Sequence, residues 1–263
     1  MRYLIIIAML TFTISAEAAT IRNYQQFEAE LDRYVSEAIE VFTVTLAANA
    51  NYQEYAERYF NGVSNVEKWH LQGKRASVLT INFTVTYSPE LLILKGRKLE
   101  YKEKLIQNAA KSTLSKIVKD DMTDYDKIKA VHDFIVLNTA YDEYTYQNGE
   151  PKRNAASPFD SYGVFMEKSA VCDGYTRAFY LLTNMLGYDS IVVNGESLLD
   201  NGAHSWNKIK LDGRWYNVDS TWDDPIPDKK GRVLHNYFLI SDKKMRKDHK
   251  WVGHDYPVAT QDY

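Results

Sequence analysis

Three residue types that together perform nucleophilic acyl chemistry stand in the last third of this chain. They are Cys172 in SAVCDGYTRAFYLLTNMLGY, His204 in AHSWN and Asp219 in GRWYNVDSTWDDP. A thiolate attacks an amide carbonyl. An imidazole beside it takes the thiol proton and later returns it to the departing amine. A carboxylate fixes the imidazole's tautomer and stabilises its charged form. Cys172 is the only cysteine of the chain, so it has no partner for an internal disulfide. A lone cysteine also suits a small buried hydrophobe, so its surroundings carry the argument.

Those surroundings read as a helix that starts at the cysteine. Ala178, Leu181, Leu182 and Met185 fall at i, i+3, i+4 and i+7, the spacing of a buried helical stripe. Gly187 suits the position just past its end. Counting back, the helix begins near Cys172 or Asp173. Unpaired backbone N–H groups and the macrodipole favour negative charge there, and hence a thiolate. Gly174 lacks the Cβ that would keep a second chain segment away. His204 and Asp219 sit on two strands joined by Asp212-Gly213, a strong two-residue hairpin signal. That turn pairs Leu211 with Arg214, setting His204 opposite Thr221 and Trp206 opposite Asp219. His204 and Asp219 then share a face as diagonal neighbours, with Cα atoms roughly 7–8 Å apart. A three-residue loop would shift the register and separate them.

The elements around this set alternate between helix and strand. NYQQFEAELDRYVSEAI has helical spacing, VFTVTLA reads as a strand, and NYQEYAERYFNG as a short helix stopped by Gly62. SVLTINFTVTY alternates Leu79, Ile81, Phe83, Val85 and Tyr87 with polar residues, the pattern of a half-buried strand, and Pro89 is expected to end it. Two helices follow, from about Leu99 to Val118 and from about Asp124 to Asn138, with capping residues between them. Residues 141–163 read as one long polar loop. These patterns divide the chain into residues 1–18, an export signal; residues 19–97, a small α+β region; and residues 98–263, which carry the chemistry.

Composition excludes some classes. Hydrophobic residues make up 45% and charged residues 25%, ordinary for a folded globular chain. The net charge of −3 provides no basic field for nucleic acid. Arg2, the apolar run LIIIAMLTFTI and the small residues Ala16 and Ala18 form a signal-peptide pattern with cleavage expected after Ala18 or Ala19. The run is short for a membrane span, so an extracytoplasmic protein without stable membrane insertion is expected.

Taken together, VCDGY, AHSWN, GRWYNVDSTWDDP and NYFLISDKKMRKDHKW resemble the transglutaminase-like superfamily, most closely its secreted bacterial members, over roughly residues 120–255. The resemblance implies an α+β, papain-like core in which the nucleophile's helix packs on an antiparallel sheet. It implies Cys172 as nucleophile, His204 as base and Asp219 as orienter. It implies no cofactor, and protein or peptide substrates, including those of a cell wall. Animal members place a tryptophan upstream of the cysteine to help hold the oxyanion, but no Trp lies between Trp69 and Trp206. The Cys172 N–H supplies one oxyanion donor and Tyr141 is the candidate for the second; a packing tyrosine is the alternative. Calcium sites of animal members have no match, and no metal is expected. Asp223 and Asp224 read as turn residues, and His70, His132, His235, His249 and His254 as surface or core histidines. Trp206, Trp215 and Trp222 read either as a wall that excludes water from the site or as sheet core. The expected activity is acyl transfer through a Cys172 thioester, either cross-linking or deamidation. A cysteine peptidase is the enzymatic rival. A non-catalytic binding module on the same fold is the rival of another class.

Overall fold

In a computed structural model, residues 20–47, 50–60, 65–75, 79–152, 157–224, 226–252 and 256–263 are described. Residues 1–19, which carry the export-signal reading, lie outside them, as does Gly62. No helix among the described residues is long and apolar enough to cross a membrane.

The first part comprises helix α1 (Tyr24–Val35), strand β1 (Val41–Leu46), helix α2 (Tyr52–Phe60), and strands β2 (Val66–Arg75) and β3 (Leu79–Tyr87). β3 runs between β1 and β2 in an antiparallel sheet. Its alternation holds: Leu79, Ile81, Phe83, Val85 and Tyr87 are buried in one cluster with Phe27 and Leu31 of α1 and with Ala56 and Tyr59 of α2. One strand had no reading in the sequence. β2 was not legible as a strand because its apolar positions are interrupted by charges and by Gly73; pairing with β3 imposes its extended form. β3 ends at Tyr87, just before Pro89 as expected, and Pro89 then opens a helix. Ser88 accepts a hydrogen bond from the Leu91 N–H and caps helix α3 (Pro89–Leu94), whose first turn tolerates proline because that N–H has no helical partner anyway. Apolar packing changes hands inside α3. Leu91 belongs to the N-terminal cluster and Ile93 to the next.

The second part runs through α4 (Tyr101–Ile117), α5 (Asp124–Asn138), β4 (Ala140–Tyr141), α6 (Glu143–Asn148), a π-helical turn at Gly163–Glu167, β5 (Ser169–Ala170) and α7 (Cys172–Met185). Then come β6 (Ser190–Ser197), β7 (Ala203–Leu211), β8 (Arg214–Val218), β9 (Phe238–Ile240), α8 (Asp242–Met245) and β10 (His249–Lys250). Thr123 and Asp126 form a capping box at the start of α5. The stretch expected to be an unbroken polar loop instead holds α6, and β4 pairs in parallel with β5 just before α7.

Five strands form one antiparallel sheet in the order β10-β6-β7-β8-β9. α7 packs on it through Ala178, Phe179, Leu181 and Leu182, all fully buried with Ile209, Leu211, Tyr216 and Val218 of the sheet. Met185, at the end of the expected stripe, is only partly buried. α4 and α5 close the same core with Ile106, Ala110, Ile128, Val131 and Ile135. The α+β layout expected from the sequence, a cysteine-bearing helix on an antiparallel sheet, is the one the chain adopts.

Candidate active site

Cys172 is the first residue of α7 and is half-buried. No side chain caps that helix start, so its first N–H groups are not taken up by a capping oxygen. Gly174 permits the approach of the segment before it. A Cβ there would sit 2.6 Å from the Pro158 carbonyl oxygen and 2.7 Å from the Ala170 Cβ. The helix start is tied to β7 as well. Ser205, next to His204, donates to Asp173, next to Cys172, at 3.0 Å. One turn on, the Asn207 amide donates to the Thr176 carbonyl at 3.1 Å. The nucleophile candidate and the base candidate are therefore held by hydrogen bonds between their immediate neighbours.

The hairpin turns as its sequence requires. Asp212 and Gly213 both have positive φ, +51° and +77°, and Leu211 pairs with Arg214. Positive φ at both turn positions is the twist-matched geometry that favours Asp-Gly. The register holds through Asn207 opposite Val218. Beyond that the chain leaves the ladder: the Asp219 N–H donates to the Tyr237 carbonyl at 3.0 Å. His204 and Asp219 still meet, with Nε2 2.6 Å from Oδ2. The other carboxylate oxygen accepts the Thr221 and Trp222 N–H groups at 2.9 and 3.1 Å.

Both groups are enclosed, and each biases the other's charge. Burial pulls the His204 pKa down. The charge and hydrogen bond of Asp219, then the hydrogen bond and charge of Cys172, outweigh it, so the imidazole is held well above its ordinary value. Burial pushes Asp219 up, but His204 and then His249 overcome this and hold the carboxyl well below the usual carboxylate range. Both shifts favour an imidazolium beside a carboxylate. Because Nε2 serves Asp219, Nδ1 is the nitrogen left for the Cys172 sulfur.

A cavity of about 530 Å³ opens onto His204 and is lined among others by Tyr141, Tyr146, Asp200, Trp222 and Asp224. Tyr141 lines the cavity on the side of Cys172. Burial first, and then the nearby Cys172, hold its phenol well above the ordinary range. Trp222 does line the cavity. Trp206 does not; of its two readings, site wall or sheet core, it takes the second. Its side chain is fully buried in a cluster with Val193, Met245 and Trp251, and its indole N–H donates to Asn217 at 3.2 Å. A neighbouring position on the face of His204 therefore became core. Trp215 pairs with Lys210 near the hairpin's far end. Asp223 and Asp224 form the expected turn, and both are buried. Asp224 is pushed up to about 6 by burial, opposed by a hydrogen bond from Tyr175 and reinforced by Asp228.

His249 was missed. It was read as a surface or core histidine, yet its Nε2 lies 3.0 Å from Asp219 Oδ2, the oxygen His204 uses. The only sequence signal was its place in the last motif, KDHKW; β10 is two residues long and carries no alternation to register it. His132 is equally enclosed, with contacts of 3.0 Å to Asp133 and 3.1 Å to Asp223. Among the described residues, His204, Asp219 and His249, and separately His132, Asp133 and His235, each bring three donor atoms within 4.8 Å. The contacts within these groups run from 2.6 to 3.0 Å, the lengths of hydrogen bonds with a proton between the atoms.

Comparison with known proteins follows the same lines. Residues 111–220 match the description "Transglutaminase-like superfamily". The kyphoscoliosis peptidases of Homo sapiens and Mus musculus are 30% and 29% identical over 162 residues, covering 54% of this chain and 24% of theirs. The chain thus spans about a quarter of the length of the curated relatives it matches. Among solved structures, a TGase overlaps at a TM-score of 0.37 and 15% identity, over 77% of this chain and 59% of its own. A candidate cysteine protease from Cytophaga hutchinsonii overlaps at 0.35 and 15%, over 63% and 70%.

Proposed function

We propose that the chain, whose residues 111–220 match the transglutaminase-like superfamily, is an exported cysteine acyl-transfer enzyme acting on protein or peptide amides through a Cys172 thioester. One observation carries the reading. The only cysteine starts a helix whose N–H groups lack a side-chain cap, and it lies close enough to raise the pKa of an imidazole that is itself bonded to Asp219 at 2.6 Å. These are the parts of a nucleophile, a base and an orienter, and the base lines the cavity.

The Cys172 sulfur attacks the amide carbonyl while the thiol proton resides on His204 Nδ1. The carbonyl oxygen becomes an oxyanion beside the N-terminus of α7, with the Cys172 N–H as one donor and the Tyr141 hydroxyl as the second. The imidazolium gives its proton to the leaving nitrogen, the C–N bond breaks, and ammonia or an amine departs. A primary amine or water then attacks the thioester and frees the thiol. Asp219 keeps its charge throughout and stabilises the imidazolium.

The second reading is a cysteine peptidase, in which water resolves the thioester formed at a backbone amide. The names of the human and mouse relatives favour it. A glutamine-containing protein supplied with a labelled primary amine separates the two. Label incorporated by the wild type and lost in Cys172→Ala establishes transfer. Shortened peptides or free glutamate without label establish hydrolysis. If neither product forms and Cys172→Ala changes nothing, the fold serves as a binding module.

A further inference from the structure

The acyl-transfer reading gives His249 no task. β10 sets it opposite Ser197 of β6, and its side chain is wholly enclosed. Both ring nitrogens face carboxylates. Nε2 is 3.0 Å from Asp219 Oδ2 and Nδ1 is 2.7 Å from Asp248 Oδ1. The other oxygen of Asp248 accepts the Tyr237 hydroxyl at 2.7 Å. The ring centroid lies 4.2 Å from that of Trp222, 5.0 Å from Trp206, 5.2 Å from His204 and 5.5 Å from Tyr237. The charged groups that face it are thus Asp219, Asp248 and His204, while Lys250 and Glu196 pair with each other on the exposed side.

A neutral imidazole has one donor and one acceptor. Either neutral tautomer of His249 would set a nitrogen lone pair against a carboxylate oxygen, in surroundings where an unmatched polar atom costs most. Only the ring bearing both protons makes both bonds. We propose that His249 is a positioning residue: an imidazolium held between Asp219 and Asp248 that keeps Asp219 ionised and aimed, and whose charge opposes the charge on His204. Its consequence for turnover rests on the acyl-transfer reading; its charge state does not.

The arrangement places two imidazolium rings on one carboxylate oxygen. The second cation makes His204 a readier proton donor than it would be with Asp219 to itself. At the 5.2 Å between ring centroids, an effective dielectric of about 20 corresponds to a shift of up to roughly two pH units. His249→Gln separates charge from hydrogen bonding. Its side-chain amide reaches about as far as Nε2 and still donates to Asp219, without a positive charge.

The test is a titration of the full chain carrying ¹⁵N-labelled histidine, followed through the ring nitrogens from about pH 5 to about pH 12. Both His249 nitrogens should stay protonated through the neutral range. In His249→Gln the His204 midpoint should rise by one to two units, and the alkaline limb of Cys172 alkylation should move with it. Asp248→Asn removes the second carboxylate and should raise the midpoint in the same direction, which keeps the test open if His249→Gln does not fold. A merely structural His249 would lower the melting temperature of these variants and leave the midpoint in place. One bare His249 nitrogen at neutral pH, or an unmoved His204 midpoint in either folded variant, overturns the proposal. Failure of the acyl-transfer reading would show separately, as Cys172→Ala with unchanged activity while the titration behaves as expected.

Discussion

Replacing Asp219 with asparagine perturbs the site at its most connected atom. The carboxylate accepts from four groups: His204, His249 and the backbone N–H groups of Thr221 and Trp222. An asparagine oriented to keep the two backbone bonds turns its amide N–H₂ toward both imidazole nitrogens, so donor meets donor. His204 must then offer Nε2 as an acceptor and carry its proton on Nδ1, the side facing Cys172. That tautomer cannot take the thiol proton. Loss of orientation of this kind lowers kcat by about 10⁴-fold in a serine-protease triad, or about 5 kcal/mol of barrier, and a loss of 10³- to 10⁴-fold is expected here. Stability should fall as well. Removing one partner of a buried charge pair costs about 3–5 kcal/mol, and the two retained backbone bonds place Asp219→Asn near the lower figure. At roughly 2–4 °C per kcal/mol, the melting temperature should drop on the order of 10 °C. The assay is the initial rate of labelled-amine incorporation or amide hydrolysis, with thermal unfolding alongside, at a temperature where the variant is fully folded. A folded Asp219→Asn within tenfold of wild-type kcat would refute the reasoning.

Further outcomes follow from the same geometry. Gly174→Ala drives a methyl group into the Pro158 carbonyl and the Ala170 Cβ; it should cost about 1–3 kcal/mol and slow Cys172 alkylation, as measured by unfolding and by iodoacetamide kinetics. Tyr141→Phe should lower kcat by about 100-fold with little change in KM if its hydroxyl holds the oxyanion, whereas a change below threefold removes it from that role. Trp206→Ala should cost about 3–5 kcal/mol through lost core packing, seen in denaturant unfolding. The raised pKa of His204 has a definite sign. Its stabilising effect is complete below its ordinary value near 6.5 and is lost as pH climbs toward about 10, so the melting temperature should decline across that window, and less steeply in His204→Gln. Asp219, with its pKa depressed, contributes above about pH 4 and loses its effect only in strong acid.

What was legible in the sequence is what short-range rules specify. The i, i+3, i+4, i+7 stripe placed the start of α7 near Cys172 or Asp173, and Asp-Gly fixed the hairpin register as far as Asn207 opposite Val218, one residue short of Asp219. Elements whose form depends on distant partners were not legible. β2 is extended because β3 pairs with it, and β10 is two residues that pair with Glu196 and Ser197. That is why His249, at the end of a basic stretch, gave no sign of its place beneath Asp219. Trp206 and Trp222 show the same limit. Both stand near His204 in the sequence pattern, but Val193, Met245 and Trp251 enclose one while the turn after Asp219 leaves the other at the cavity. The turn reading of Asp223 and Asp224 was sound locally, yet it could not foretell that Asp223 meets His132 of α5 across 91 residues.

The central claim is that Cys172 forms a covalent acyl intermediate. The most direct measurement is intact-protein mass spectrometry after rapid acid quench of the enzyme with a glutamine-containing peptide. A mass increase equal to the peptide acyl group is predicted. It should map to the Cys172 peptide, be released by hydroxylamine and be absent from Cys172→Ala. Turnover of the amide with no adduct on Cys172, and with activity retained by Cys172→Ala, would contradict the account.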